Sequence, residues 1–136
     1  MNTLIVEDDP TSRLILKDIL SEYGPVHVAI NGNEALKAVR SALQLESAEQ
    51  YYNLICMDIM MPEMDGLDAL QLIRREEEEK GIFSTSDKAT KIIMISALSD
   101  LYCLTTAYMN LCDGYLTKPI DFEKLLELLG ELKLIA

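Results

Sequence analysis

The sequence predicts an α/β fold built on one parallel sheet with helices on both faces. Strand-like apolar runs alternate with helix-like segments five times along the chain, the pattern of successive βα units. Two of the runs, Leu4-Ile5-Val6 and Leu54-Ile55-Cys56-Met57, are apolar at every position, as strands covered on both faces require. Four runs also end in chemically active side chains. Leu4-Ile5-Val6 leads into Glu7-Asp8-Asp9, and Met57 into Asp58. Ile92-Ile93-Met94-Ile95 leads into Ser96, and Gly114-Tyr115-Leu116-Thr117 into Lys118-Pro119. Open α/β sheets carry their chemistry outside the carboxyl ends of the strands.

Each element has its own justification. The first strand, residues 3–7, is followed by a helix over 10–23, with Pro10 suited to a first turn and Gly24-Pro25 ending it. The second strand is 26–30. Asn31-Gly32-Asn33 turns the chain into a helix over 34–49. The third strand, 53–58, precedes a helix over 64–80 with a charged end, Arg74 to Lys80, in which the Glu run, Glu76 to Glu79, is read as a solvated face. Residues 81–90 are polar and read as a loop. The fourth strand, 91–95, leads to a helix over 99–111 and the fifth strand to Asp121, which caps a last helix over 122–133. At 136 residues the chain is expected to be one domain, 1–136, with no linker and no output domain.

Composition excludes several classes. A hydrophobic share of 49% is too high for a disordered chain. A formal net charge of −11 argues against direct contact with nucleic acid, which needs clustered Lys and Arg. No apolar run approaches the ~20 residues of a membrane span, and no signal peptide is read before the first strand. Three cysteines without CxxC spacing read as reduced thiols of a cytoplasmic protein. His27, mid-strand, and Met57, Met60, Met61 and Met64 read as packing residues.

The carboxylates dictate the chemistry. Glu7, Asp8 and Asp58 converge if the first and third strands are neighbours. Two such charges about 4 Å apart repel by roughly 4 kcal/mol at an effective dielectric near 20, so the cluster calls for a cation. Oxygen ligands without His or Cys select a hard ion, Mg²⁺ or Mn²⁺. Lys118 adds an ammonium and Ser96 a hydroxyl. Around one carboxylate these groups suit a transferring phosphoryl group, with Asp58 as nucleophile. Asp9, beside Pro10, reads as a helix cap rather than a ligand.

The motifs Leu4-Ile5-Val6-Glu7-Asp8-Asp9-Pro10, Met57-Asp58-Ile59-Met60-Met61-Pro62-Glu63-Met64-Asp65-Gly66, Ile95-Ser96-Ala97 and Gly114-Tyr115-Leu116-Thr117-Lys118-Pro119-Ile120 resemble, in order and spacing, those of response regulator receiver domains of two-component systems, the CheY-like superfamily. The resemblance covers essentially the whole chain. It implies a single-domain flavodoxin-like (βα)5 three-layer sandwich with strand order 2-1-3-4-5. It implies Asp58 as phosphoacceptor, Ser96 as switch hydroxyl, Tyr115 as switch aromatic and Lys118 as the phosphate-binding lysine. Glu7 and Asp8 match the acidic pair, and Asp8, Asp58 and the backbone carbonyl of Met60 would hold Mg²⁺. A cis Lys118–Pro119 peptide is expected, and the third crossover, around 80–90, is longer than the family pattern.

The function expected is a stand-alone receiver that takes a phosphoryl group from a phosphohistidine of a sensor kinase or histidine phosphotransfer protein. It would catalyse only its own phosphorylation and dephosphorylation and signal through a downstream protein or self-dimer. Leu101, Leu104, Tyr108 and Tyr115 are the expected partner face. An aspartyl-phosphate phosphatase is the enzymatic alternative, but such enzymes place a second acid two residues after the nucleophile, where Met60 stands and transfers no proton. A phosphorylation-independent pseudo-receiver is the other alternative, disfavoured by the intact Asp8, Asp58, Ser96 and Lys118.

Overall fold

Five parallel strands pair in the order β2-β1-β3-β4-β5, with the helices packed on the two faces of the sheet. The structure is a computed structural model that describes residues 1–45, 51–82 and 88–136. The elements are β1 (Thr3–Val6), α1 (Pro10–Leu20) with a 3-10 turn at Ser21–Tyr23, β2 (Val26–Ala29), α2 (Gly32–Gln44), β3 (Leu54–Met57), α3 (Gly66–Glu79), β4 (Lys91–Ser96), α4 (Leu98–Leu101), α5 (Thr106–Met109), β5 (Gly114–Thr117) and α6 (Phe122–Glu131).

The continuous apolar runs feed two cores at once, because successive strand residues point to opposite faces. Leu4, Val6, Ile55, Met57, Ile92 and Met94 join one core with Leu36 and Val39 of α2, Leu70 and Ile73 of α3, and Leu101 and Leu104. The intervening Ile5, Leu54, Cys56, Ile93 and Ile95 join the other, with Leu16 and Leu20 of α1 and Leu125 and Leu129 of α6. The register aligns Val6 with Met57 and Met57 with Met94, so β1 and β3 end level while β4 runs two residues further, to Ser96. Ser96 aligns with Thr117, which brings Lys118 to the same edge.

α1 and α6 begin where the sequence predicts, at Pro10 and Phe122, whereas α2 begins two residues earlier and α3 two residues later than expected. Asp9, Asn31, Asp65 and Asp121 accept from the backbone N–H of Ser12, Glu34, Asp68 and Lys124, an arrangement worth about 1 kcal/mol per cap. Gly66 is required where α3 starts. Its N–H donates to the Ile59 carbonyl at 2.7 Å, and a Cβ would lie 2.0 Å from the Asp58 carbonyl oxygen. The Lys118–Pro119 peptide is cis. His27 packs edge-on against Tyr52, with Nδ1 2.7 Å from the Tyr52 hydroxyl.

Two sequence expectations fail. The end of α3 is not a solvated face throughout. Glu78 and Glu79 are exposed, but Glu77 is 1% and Arg74 3% exposed. With Leu70 and Ile73 they form the inward stripe of α3, so the sheet buries an acid and its counterion together. Arg74 donates to Glu77 Oε1 at 2.6 Å, to the Thr90 carbonyl at 2.8 Å, to the Leu111 carbonyl at 2.7 Å and to Asp113 at 3.0 Å. Glu77 also accepts from Tyr51 Oη at 2.8 Å and Thr90 N–H at 2.9 Å. Loss of one partner from such a buried pair costs about 3–5 kcal/mol.

The expected single helix over 99–111 is also broken into α4 and α5. Between them Cys103 and Leu104 make tight bonds to the Asp100 and Leu101 carbonyls, which resets the helical phase. The stripe expected to face outward faces inward. Leu101 and Leu104 are each 8% exposed, and Tyr108 is half-buried against the same core. They seal the sheet where α4 and α5 are short. Tyr102, at 78%, and Met109, at 44%, face solvent instead. Of the expected face only Tyr115, 51% exposed, is outward. The end of the second helix at 46–49 and part of the 81–90 loop lie outside the described residues.

Candidate functional site

Four strand ends meet around Asp58. Asp58 is 6% exposed and each of its carboxylate oxygens accepts at least one hydrogen bond. Oδ1 accepts from the Ser96 hydroxyl in a very short contact and from the Ile59 N–H at 2.8 Å. Oδ2 accepts from Lys118 Nζ at 2.9 Å. The same ammonium donates to Glu7 Oε1 at 2.9 Å. Lys118 can reach both because its own N–H is fixed to the Ser96 carbonyl at 2.8 Å, which positions the residue following β5 across the strand ends.

The electrostatics follow from burial. Glu7 is 1% exposed, and loss of hydration pushes its carboxyl up to about 7, against the pull of the Lys118 hydrogen bond and with a further push from the Asp58 charge. Burial lowers the Lys118 ammonium, but its bonds to Glu7 and Asp58 outweigh that and hold it above the ordinary lysine range. Asp9 is held below the usual range by its bonds to Ser12, consistent with a cap.

Glu7, Asp8 and Asp58 each place a carboxylate oxygen within 4.8 Å of the others. Asp8 is exposed and, among the described residues, has no hydrogen-bond donor. Within the same residues no donor reaches the Met60 carbonyl. Free acceptors beside a carboxylate cluster that one ammonium serves are the donor set of a hard divalent cation. The residues present therefore fit such an ion, with the Asp8 and Asp58 carboxylates available to it and Glu7 also engaged by Lys118.

The expected residues Glu7, Asp8, Asp58, Ser96 and Lys118 are all brought together at this edge. Tyr115 is not part of the cluster: its ring lies on the sheet face that carries Met94, its register partner. The Met60 and Leu98 side chains are 60% and 55% exposed in the loops that follow Asp58 and Ser96. Sequence reasoning missed Arg13. Its Nη1 donates to the Glu7 carbonyl at 3.2 Å, adding a cation beside the acidic edge. Its place one turn after the Asp9 cap, on the helix that starts at the site, was the available signal.

A family model, the response regulator receiver domain, matches residues 3–130. The chain belongs to that family and is a receiver domain of two-component signalling. It is 34% identical over 128 residues to hybrid signal transduction histidine kinase G of Dictyostelium discoideum, covering 92% of this chain but only 3% of that protein. It is 31% identical over 134 residues to protein PilG of Pseudomonas aeruginosa, covering 98% of this chain and 85% of PilG. Among solved structures it resembles the response regulator TrrA of Thermotoga maritima in complex with Mg(2+)-BeF, at TM-score 0.73 and 30% identity, covering 96% and 97% of the two chains. It also resembles the co-crystal structure of the Saccharomyces cerevisiae histidine phosphotransfer protein Ypd1 with the receiver domain of the response regulator Ssk1, at TM-score 0.71 and 26% identity, covering 97% and 88%. No helix among the described residues is long and apolar enough to cross a membrane.

The Glu7 shift has a measurable consequence. A carboxyl held above its unfolded value of 4.5 stabilises the fold below that value, and the contribution is lost as pH rises through about 7. In chelator, the urea midpoint should fall across that window. Glu7→Gln should flatten the fall. An unchanged slope in the variant would place the titrating group elsewhere.

Proposed function

We propose that the chain acts as a stand-alone receiver, accepting a phosphoryl group on Asp58 from a phosphohistidine of a kinase or phosphotransfer protein. The observation that carries this reading is the shared coordination of the Asp58 carboxylate by Lys118 and Ser96 beside Glu7 and Asp8. The likeness to an Ssk1 receiver crystallised with a phosphotransfer protein supports the donor class.

In the transfer, an Asp58 oxygen forms a bond to phosphorus as the phosphorus–nitrogen bond to the donor imidazole breaks, and that nitrogen takes up a proton. The product is an acyl phosphate on Asp58. Lys118 and Ser96, already on the two Asp58 oxygens, would turn to the phosphoryl oxygens and neutralise and orient them. A divalent cation held by Asp8, Asp58 and the Met60 carbonyl supplies further positive charge there. No separate substrate is turned over.

The output rests on the side of β5. Ser96 already contacts Asp58 while Tyr115 points outward, so the change left to make is at Tyr115 and the broken α4–α5 segment. Tyr102 and Tyr115 carry the partner face in place of the buried leucines. A partner preferring the phosphorylated form by ~100-fold needs about 2.7 kcal/mol of differential binding.

With Mg²⁺ and acetyl phosphate, intact-mass measurement should show one added phosphoryl group. Asp58→Asn should abolish it and Asp8→Asn slow it, while Asp9→Asn should have little effect. Undiminished labelling of Asp58→Asn would sink the assignment.

The lifetime of the product is also set locally. In this family, hydrolysis is helped when the positions two after the acceptor and two after the switch hydroxyl are polar. Here they are Met60 and Leu98, apolar side chains that would screen the acyl phosphate from water. Slow self-dephosphorylation is expected, accelerated in Met60→Asn with Leu98→Glu. Equal or slower decay in that double variant would count against this account.

A further inference from the structure

The amino-terminal rim of the sheet, opposite Asp58, carries a local charge of the other sign. A cavity of about 580 Å³ lies between the start of β4 and the end of α6, lined in part by Tyr51, Asn53, Lys88, Lys91, Glu131 and Lys133. The chain has 12 basic and 23 acidic residues, yet three of the cavity's four charged side chains are lysines. A molecule with net charge −11 repels anions overall, so this reversal is local, and separate elements contribute to it.

The walls are preformed. Tyr51 is held by its hydroxyl bond to the buried Glu77 at 2.8 Å and by its carbonyl, which accepts from Asn2 Nδ2 at 3.1 Å. The Asn53 side chain accepts from the Asn2 N–H at 2.7 Å, and its carbonyl accepts from the Lys91 N–H at 2.9 Å. Lys133 follows α6 at φ 60°, the left-handed position that usually takes glycine after a helix. Here that position places Lys133 in the cavity lining. Lys91 Nζ is 4.0 Å from its nearest carboxylate, Asp113, the outer limit of an ion pair.

We infer that this cavity binds a small phosphate-bearing molecule, at a site separate from Asp58. Lysine point charges such as those of Lys91 and Lys133 suit a compact, multiply charged anion, whereas recognition of a planar carboxylate favours the arginine fork. The volume exceeds that of a diphosphate group and leaves room for an organic portion against Tyr51 and Tyr52.

Pyrophosphate, titrated into the full chain in chelator at fixed ionic strength and followed by amide chemical shifts, tests this. Saturable shifts are expected at Asn53, Lys88, Lys91 and Lys133. Lys91→Gln with Lys133→Gln should weaken the titration by about tenfold or more while its spectrum elsewhere and its labelling by acetyl phosphate stay as in the parent. Shifts confined to the Lys118 end, shifts that never saturate, or equal affinity in the double variant would each overturn the proposal.

Discussion

One ammonium shared by two buried carboxylates is the constraint on which the strand-end architecture depends. Lys118 sits 2.9 Å from both Glu7 and Asp58, tying the ends of β1 and β3 to the residue after β5. Two attractions and one repulsion of similar length leave a net favourable Coulomb sum at any dielectric. The sum is not generous. Glu7 is still pushed up to about 7, so Lys118 alone does not offset the loss of hydration and the neighbouring negative charge. Asp8 adds a further carboxylate with no donor among the described residues. The edge is thus built one cation short, and that shortfall is the physical reason it suits a divalent ion and a phosphoryl group.

Most of this was legible because it depends on order and period alone. Apolar runs that end in Glu7, Asp58, Ser96 and Lys118 specify where the side chains emerge, and parallel βα connection brings the ends to one edge. Asp9 could be separated from Asp8 because the adjacent Pro10 marks a first helical turn. What was not legible depends on phase and on partners distant in sequence. The resemblance places the stripe Leu101, Leu104 and Tyr108 outward, but both stripes of this segment are apolar, so spacing alone does not decide which one packs on the sheet, and Leu101 and Leu104 are the ones buried there. Glu77 sits in a run of four glutamates, and nothing local distinguishes it from its neighbours. Its burial follows from Arg74 one turn earlier and from Tyr51 and Thr90, contacts that only the fold creates.

The two ends of the sheet are consequently different environments. The carboxyl end concentrates negative charge around an exposed entrance. At the amino end, the buried Arg74–Glu77–Asp113 system fixes the starts of β4 and β5 and anchors Tyr51, a wall of the lysine-lined cavity. Tyr115 lies two residues beyond Asp113, so the strand that carries the outward aromatic is tied at its start by Asp113 and at its end by Lys118.

The central claim is that Asp58, with Lys118 and Ser96, forms a preorganised cradle for a phosphoryl group. A crystal structure of the chain grown with Mg²⁺ and beryllofluoride, a phosphoryl mimic, tests it most directly. The account predicts the mimic bonded to an Asp58 oxygen, the Lys118 ammonium and Ser96 hydroxyl on its fluorines, and the metal against Asp8, Asp58 and the Met60 carbonyl. An Asp58 carboxylate that stays unmodified and bound to Lys118 at saturating beryllofluoride would contradict it.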